Sequence, residues 1–308
     1  MINYSIIIPH KNSQELLAYC LATIPVRDDV QVIVVDDNSD ATKVDFEHFP
    51  QWGGQNYEYY LTKEGKGAGY ARNVGLEHAK GKWVLFVDAD DYLLSTLNDI
   101  FDECVNSDAD IIYFRPKAVM LKDRKSPSNR ADAYNGIINR YFENRDETEL
   151  RVRFFSPTCK FVKRELIEKN NIRFEEIKYS NDNLFAVMIG CNAKSIEVSN
   201  DTYYIITECN NSLRAGYCTK TGELEIRASA FFRVCQYIEK YNYAIDKDIL
   251  YDFLSRMLVS ERKLYKVYFR KSQQMLNCTR LQLIYSEFQS NRFFSRIKRS
   301  IYAWIITL

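Results

Sequence analysis

The chain has 308 residues, of which 46% are hydrophobic, with 42 Lys and Arg against 41 Asp and Glu and a net charge of +1. That length accommodates one large α/β domain with an appendage, and the apolar content is enough for a real core. So even a balance argues against a chain whose main task is gripping nucleic acid.

The eight cysteines form no CxxC pair and no metal-binding spacing, and most sit in apolar stretches, as buried thiols in a reducing compartment do. The N-terminal MINYSIIIPHKN starts a strand within four residues, which is not how a signal peptide begins. No apolar run reaches the ~18–20 residues of a transmembrane helix. The expected location is cytoplasmic.

In chain order, Tyr4–Pro9 reads as a short apolar strand ending in Pro, and residues 13–24 place Leu16, Leu17, Cys20, Leu21 and Ile24 at helical spacing. VQVIVV (30–35) is a β-branched run expected to be a fully buried strand. Tyr57–Leu61 is a third strand. Ala68–Ala79 is helical, stopped by Gly81. Trp83–Val87 and Asp110–Phe114 are the fourth and fifth strands. Strands alternating with helices predict a mostly parallel sheet flanked by helices. Residues 116–150 are polar and read as a connecting or lid region, partly helical. Residues 154–206 read as short strands and helices returning to the sheet. From 223 onward Gly and Pro are absent and apolar residues recur at three and four, which predicts a helical appendage.

In such sheets ligands bind beyond the carboxyl ends of the strands, so Asp36, Asp37 and Asp88–Asp91 should surround one crevice. VIVVDDNSD (32–40) ends a buried strand in two carboxylates and a polar turn. The turn fits a helix cap at Ser39 or Asp40, or a carboxylate that accepts a hydrogen bond from a base or ribose. KEGKGAGYARNVG (63–75) brings Gly65, Gly67 and Gly69 to a helix entrance, where glycine lets backbone approach a ligand closely. Arg72, one turn in, offers a planar fork for phosphate, or else a surface salt bridge.

FVDADD (86–91) packs Asp88, Asp90 and Asp91 into four positions. On an extended segment Asp88 and Asp90 would point the same way. Uncompensated, the three would raise one another's pKa values and destabilise the fold, which a divalent cation relieves. None of the three His lies beside them, and an all-oxygen donor set favours Mg²⁺ or Mn²⁺ held together with substrate phosphates.

SIIIPHKN (5–12), VIVVDDNSD (32–40), GAGYARNVGLEHAKGKW (67–83) and FVDADD (86–91) occur in an order and spacing that resemble the inverting family 2 glycosyltransferases of GT-A fold. The likeness is strong over 3–115 and continues more weakly through TCKFVKRELIEKNNIRF (158–174) and YSNDNLFAVMI (179–189). His10–Lys11 departs from the usual variable–Tyr pair. The resemblance implies a GT-A domain over 1–222, with a Rossmann-like nucleotide-sugar half (1–115) and an acceptor half (116–222), followed by a helical region (223–308). It implies that Asp36 and Asp37 hold base and ribose over a floor at Pro9, and that Arg72 faces base or diphosphate. Asp88 would lie near ribose and metal, Asp90 would ligate the metal, and Asp91 would assist. The family's catalytic base follows a Glu; here the pair is Asn181–Asp182, which makes Asp182 the base unless its carboxylate merely caps the next helix.

The activity so implied is metal-dependent, inverting transfer from a UDP-sugar to a glycan or lipid-linked acceptor. A nucleotidyltransferase would be expected to carry a glycine-rich, basic signature at the first strand, and SIIIPHKNS has no glycine. A non-catalytic nucleotide-sugar binder or membrane-attached assembly subunit is the alternative that the missing Glu favours. RFFSRIKRSIYAWIITL (292–308) sets Phe, Ile and Trp against Arg and Lys on a helical wheel. That pattern suits peripheral membrane contact or packing on the appendage.

Overall fold

A computed structural model describes residues 1–209, 222–280 and 282–283. The expected 292–308 helix lies outside the described residues. The chain divides into two compact units, 1–217 and 218–308.

The first unit runs β1 (Tyr4–His10), α1 (Gln14–Ala22), β2 (Val30–Asp37), β3 (Tyr57–Thr62), α2 (Ala68–His78), β4 (Trp83–Phe86), β5 (Tyr92–Leu93) and α3 (Leu97–Cys104). It continues through β6 (Ile111–Tyr113), β7 (Lys117–Met120), a 3-10 turn (Asn129–Ala131), α4 (Asp132–Asn144), α5 (Thr148–Arg153), β8 (Lys160–Lys163), α6 (Arg164–Lys169), α7 (Asn183–Asn192), β9 (Ile196–Val198) and β10 (Tyr204–Glu208). The main sheet has the order β3-β2-β1-β4-β8-β6-β9. Pairing is parallel except where β8 runs antiparallel to both β4 and β6. A small sheet, β5-β10-β7, stands beside it.

Every residue of β1 except Pro9, and every residue of β2 and β4, is buried, as their unbroken apolar runs require of central strands. β1 lies between β2 and β4, so successive connections leave it in opposite directions. This is a topological switch point, where a crevice opens beyond the strand ends. The register sets His10 opposite Asp36 and Ile7 opposite Phe86. The 36–37 carboxylates and the acidic turn after β4 therefore reach the same edge of the sheet.

Two expectations are corrected. No helix follows Ser39, so neither Ser39 nor Asp40 caps one; residues 41–43 form a turn instead. The connecting region adds β7, which pairs with β10 in the small sheet, as well as the expected helices.

The second unit contains α8 (Glu223–Glu239), α9 (Lys247–Ser260) and α10 (Arg262–Met275). Asp246 caps α9 by accepting from the amides of Asp248 and Ile249. Leu224, Phe231, Leu250, Leu254, Met257 and Tyr268 are among the residues of its separate apolar core. Among the described residues no helix is long and apolar enough to cross a membrane.

Candidate active site

The site begins at the end of β2. Asp36 is buried, and both its oxygens are engaged. Oδ1 accepts from the Ser39 amide at 2.8 Å; Oδ2 accepts from the Ser39 hydroxyl at 2.5 Å and lies 2.7 Å from His10 Nδ1. The Ser13 amide donates to His10 Nε2 at 3.2 Å, which makes Nδ1 the protonated nitrogen. Burial pushes the Asp36 carboxyl up, but the bonds from His10 and Ser39 outweigh it and hold the group below the usual range. With its oxygens spent in this way, Asp36 braces the turn.

Asp37 differs. Its Oδ2 accepts from the Gly67 amide at 2.9 Å and from Lys11 Nζ at 3.1 Å, while its buried Oδ1 has no hydrogen-bond partner. Lys11 Nζ also donates to the Asp37 carbonyl at 2.9 Å, and its side chain is about half exposed. Gly67 turns the loop at φ +97°, a backbone conformation open to glycine. Gly69 serves a different closeness than its sequence suggests. A Cβ there would come within 2.2 Å of the Glu175 carbonyl, so the glycine lets α2 pack on the segment before α7.

That packing brings Arg72 to its partners. Its guanidinium is buried, donating from Nη2 to Asp88 Oδ1 at 2.7 Å and from Nη1 to Asn181 Oδ1 at 3.1 Å. It lies over the Phe174 ring at 5.3 Å. Asn73, next along α2, exchanges bonds with the Phe174 backbone at 3.0 and 2.8 Å and fixes the same contact.

The acidic segment is a turn, not the extended stretch expected: β4 ends at Phe86, and the Asp91 amide donates back to the Asp88 carbonyl at 3.0 Å. The turn itself brings one oxygen each from Asp88, Asp90 and Asp91 within 4.8 Å of one another. β10 locks it. The Tyr204 hydroxyl donates to Asp91 Oδ2 at 2.7 Å and accepts from the Asp88 amide at 3.0 Å. Thr207 donates its amide to Asp91 Oδ1 and its hydroxyl to the Asp90 carbonyl, both at 2.7 Å. Burial, then Asp90 and Asp88, push the Asp91 carboxyl well up. Asp90 reaches solvent from inside the crevice; loss of water there and the Asp88 charge push it up to about 6. Three oxygen donors at this spacing, with the Asp90 and Asp91 carboxyls both pushed up, suit a hard divalent cation.

Asp182 stands at the entry to α7, half-buried, and its carboxylate makes no capping bond. Burial raises its pKa, opposed by the Arg72 charge. The structure thus sets the Arg72 guanidinium between Asp88 and Asn181, the residue before Asp182. Pro9 lies half-buried at the end of β1, one residue before His10. Sequence reasoning missed Tyr204 and Thr207, which lie in the apolar run TYYIIT with no chemical signature. It noted Lys11 only as a departure.

A comparison with known families decides the relationship: the family described as Glycosyl transferase family 2 matches residues 5–170, more than half of the chain. The chain belongs to glycosyl transferase family 2. It is 30% identical over 219 residues to the poly(ribitol-phosphate) beta-N-acetylglucosaminyltransferase TarS of Staphylococcus aureus, covering 68% of this chain and 36% of that protein. The chain thus spans about a third of that relative's length. Residues 1–349 of S. aureus TarS in complex with UDP superpose with a TM-score of 0.58 at 25% identity, covering 85% of this chain and 73% of the other. The mannosyltransferase PcManGT of Pyrobaculum calidifontis, in complex with GDP-Man and Mn²⁺, shares the fold at a TM-score of 0.51 and 21% identity, over 78% of this chain and 64% of that one. The architecture is the GT-A fold of this family.

Proposed function

We propose that this chain transfers a sugar from a nucleotide-diphosphate sugar, UDP-linked, to a hydroxyl of a glycan or lipid-linked acceptor, inverting the anomeric centre. The observation that carries the proposal is the gathering of Asp37, Arg72, the 88–91 turn and Asp182 from four separate segments at one edge of the parallel sheet. The UDP bound by the related TarS supports the choice of donor.

Asp37 and Lys11 receive the nucleoside, since Asp37 Oδ1 is a buried acceptor lacking a donor and Lys11 supplies one beside it. Pro9 forms the pocket floor, and Asp36 holds the turn through His10 and Ser39. Asp88 and Asp90 are the ligands for Mn²⁺ or Mg²⁺, with Asp91 setting the turn through Tyr204 and Thr207. A divalent ion at these carboxylates supplies positive charge for the departing diphosphate. Arg72 orients Asp88 and ties the donor side to the loop that carries the base. Asp182 takes the proton of the acceptor hydroxyl as the oxygen attacks the anomeric carbon. The bond to the diphosphate breaks with its electron pair, and the product has the opposite anomeric configuration. Local burial makes Asp182 a stronger base than an exposed aspartate.

The test is UDP release from a panel of UDP-hexoses and UDP-N-acetylhexosamines with Mn²⁺ or Mg²⁺ and a glycan or lipid-linked acceptor. Acceptor-dependent release is expected. Tight UDP binding with no turnover for any donor would instead support a non-catalytic binder, to which the Asn181 substitution points.

A further inference from the structure

The second unit carries a charge pattern that the active site does not use. Residues 262–308 hold ten of the chain's 42 Lys and Arg but one of its 41 Asp and Glu, which leaves 32 against 40, a net charge of −8, on residues 1–261. The described helix of that basic stretch is α10. Its Leu264, Tyr265, Tyr268 and Phe269 pack on the core of the unit. Arg262, Lys263, Lys266, Arg270 and Lys271 fall on the opposite half of the helix and are exposed, with Val267, 49% exposed, among them. None of the five cations makes an ion pair among the described residues; Lys271 lies over the Tyr268 ring at 4.6 Å. The neighbouring helices differ: in α8 Arg227 pairs with Glu223 and in α9 Arg256 pairs with Asp252, each one turn away at 2.8 Å.

The helix itself gains nothing from this arrangement. Arg262 and Lys263 open its first turn with no acid beside them, and its last turn has no basic residue, the reverse of what the helix dipole favours. Arg262, Lys266 and Arg270 repeat every four residues, where like charges repel. A negatively charged partner accounts for the stripe where helix stability does not. We propose that the exposed face of α10 docks on the surface of a bilayer containing anionic phospholipid. The helix has 14 residues and is about 21 Å long, so its cations can lie together along a plane of headgroups, with Val267 between them. The same surface repels the net negative charge of residues 1–261, which sets the approach with α10 toward the lipid. After Glu287 the sequence adds four more Lys and Arg, no acid, and Phe293, Phe294 and Trp304. Aromatic and basic residues together match a bilayer interface, whereas a soluble polyanion matches the cations alone. The inference concerns the second unit and stands without the proposed transfer.

The experiment measures co-sedimentation of the full chain with vesicles of phosphatidylcholine alone and of phosphatidylcholine with about one-third phosphatidylglycerol, at about 0.1 M and about 0.5 M NaCl. Wild type should bind the phosphatidylglycerol vesicles at the lower salt, bind them more weakly at the higher, and leave phosphatidylcholine vesicles in favour of solution. A triple variant, Lys263→Gln with Lys266→Gln and Arg270→Gln, removes three exposed charges and keeps a good helix former at each position, so its melting temperature should hold. Its affinity for the phosphatidylglycerol vesicles should fall about tenfold or more. A control triple in the first unit, Lys122→Gln with Lys169→Gln and Lys194→Gln, should bind as wild type does. Should the α10 triple fail to melt cooperatively, Lys266→Gln alone carries the test, with a smaller loss in the same direction. No binding of wild type to phosphatidylglycerol vesicles, or equal affinity of the α10 and control variants, would overturn the inference. So would wild-type binding to soluble polyphosphate with none to vesicles, which would make the partner a soluble polyanion. None of these readouts involves sugar transfer, so either proposal can fail without the other.

Discussion

Arg72 joins Asp88 to Asn181, with one guanidinium nitrogen on each at 2.7 and 3.1 Å. Asp88 opens the acidic turn after β4, and Asn181 precedes Asp182, the proposed base, on the way into α7. The two lie 93 positions apart in sequence, and the bridge between them is a planar, always-charged fork. Where the family carries a Glu, this chain carries a neutral amide. Arg72 therefore spends its charge on Asp88 and leaves a residual field over Asp182.

Replacing that fork with a point charge breaks the bridge. Arg72→Lys keeps a cation near Asp88 but does not span to Asn181. We expect kcat/KM to fall about ten- to a hundredfold, the range for losing a charge-assisted hydrogen bond. UDP affinity should fall less than kcat if, as proposed, the link positions Asp182 as the base as well as the donor. Steady-state kinetics together with calorimetric UDP titration check both.

Asp182→Asn removes the proposed proton acceptor and preserves shape. Its side chain caps nothing in α7, so the helix loses no bond. Transfer should drop by about a hundredfold or more, with the melting temperature and UDP affinity near wild type. Full activity in this variant would refute the assignment of the base.

The parts of the site legible in the sequence are those built from contiguous residues. The buried β-branched runs of β1, β2 and β4 announce central strands, and Asp36, Asp37 and Asp88–Asp91 sit at their ends. What is not legible depends on long-range pairing. Nothing local tells that β8 runs antiparallel between β4 and β6. The small sheet is equally hidden, since β5 has two residues and its partner β10 lies more than a hundred positions away. The division of labour between Asp36 and Asp37 follows from His10 and Gly67, whose contacts span 26 and 30 positions. Asp36 and Asp37 look alike in VVDDN, yet one is saturated and the other retains an open oxygen.

Asn181→Glu restores the carboxylate that the family pattern leads one to expect. Glu would take the Arg72 Nη1 bond as a charged pair and add a negative charge beside Asp182. Both effects raise the Asp182 pKa, since each favours its protonated form. The acid limb of the transfer rate should move to higher pH while the alkaline plateau holds. A pH–rate profile of the variant against wild type reads this, and a limb displaced toward acid would contradict the Arg72 bridge between Asp88 and position 181.

Asp36→Asn tests the brace of the turn after β2. The Asp36 carboxyl lies below its ordinary value in the folded protein because His10 and Ser39 bind its anion more strongly than burial disfavours it. A group depressed in this way contributes stability above the ordinary carboxyl range and loses it as pH falls through the folded value. The variant keeps an acceptor oxygen but loses the charge, so two of the three bonds weaken or rearrange. We expect it to be less stable by about 1–3 kcal/mol near neutral pH. The gap to wild type should narrow steadily toward acid, where wild-type Asp36 becomes neutral as well. Urea unfolding across a pH series measures this, and a gap that stays constant down to the acid end would show that the carboxylate charge plays no part in holding the turn.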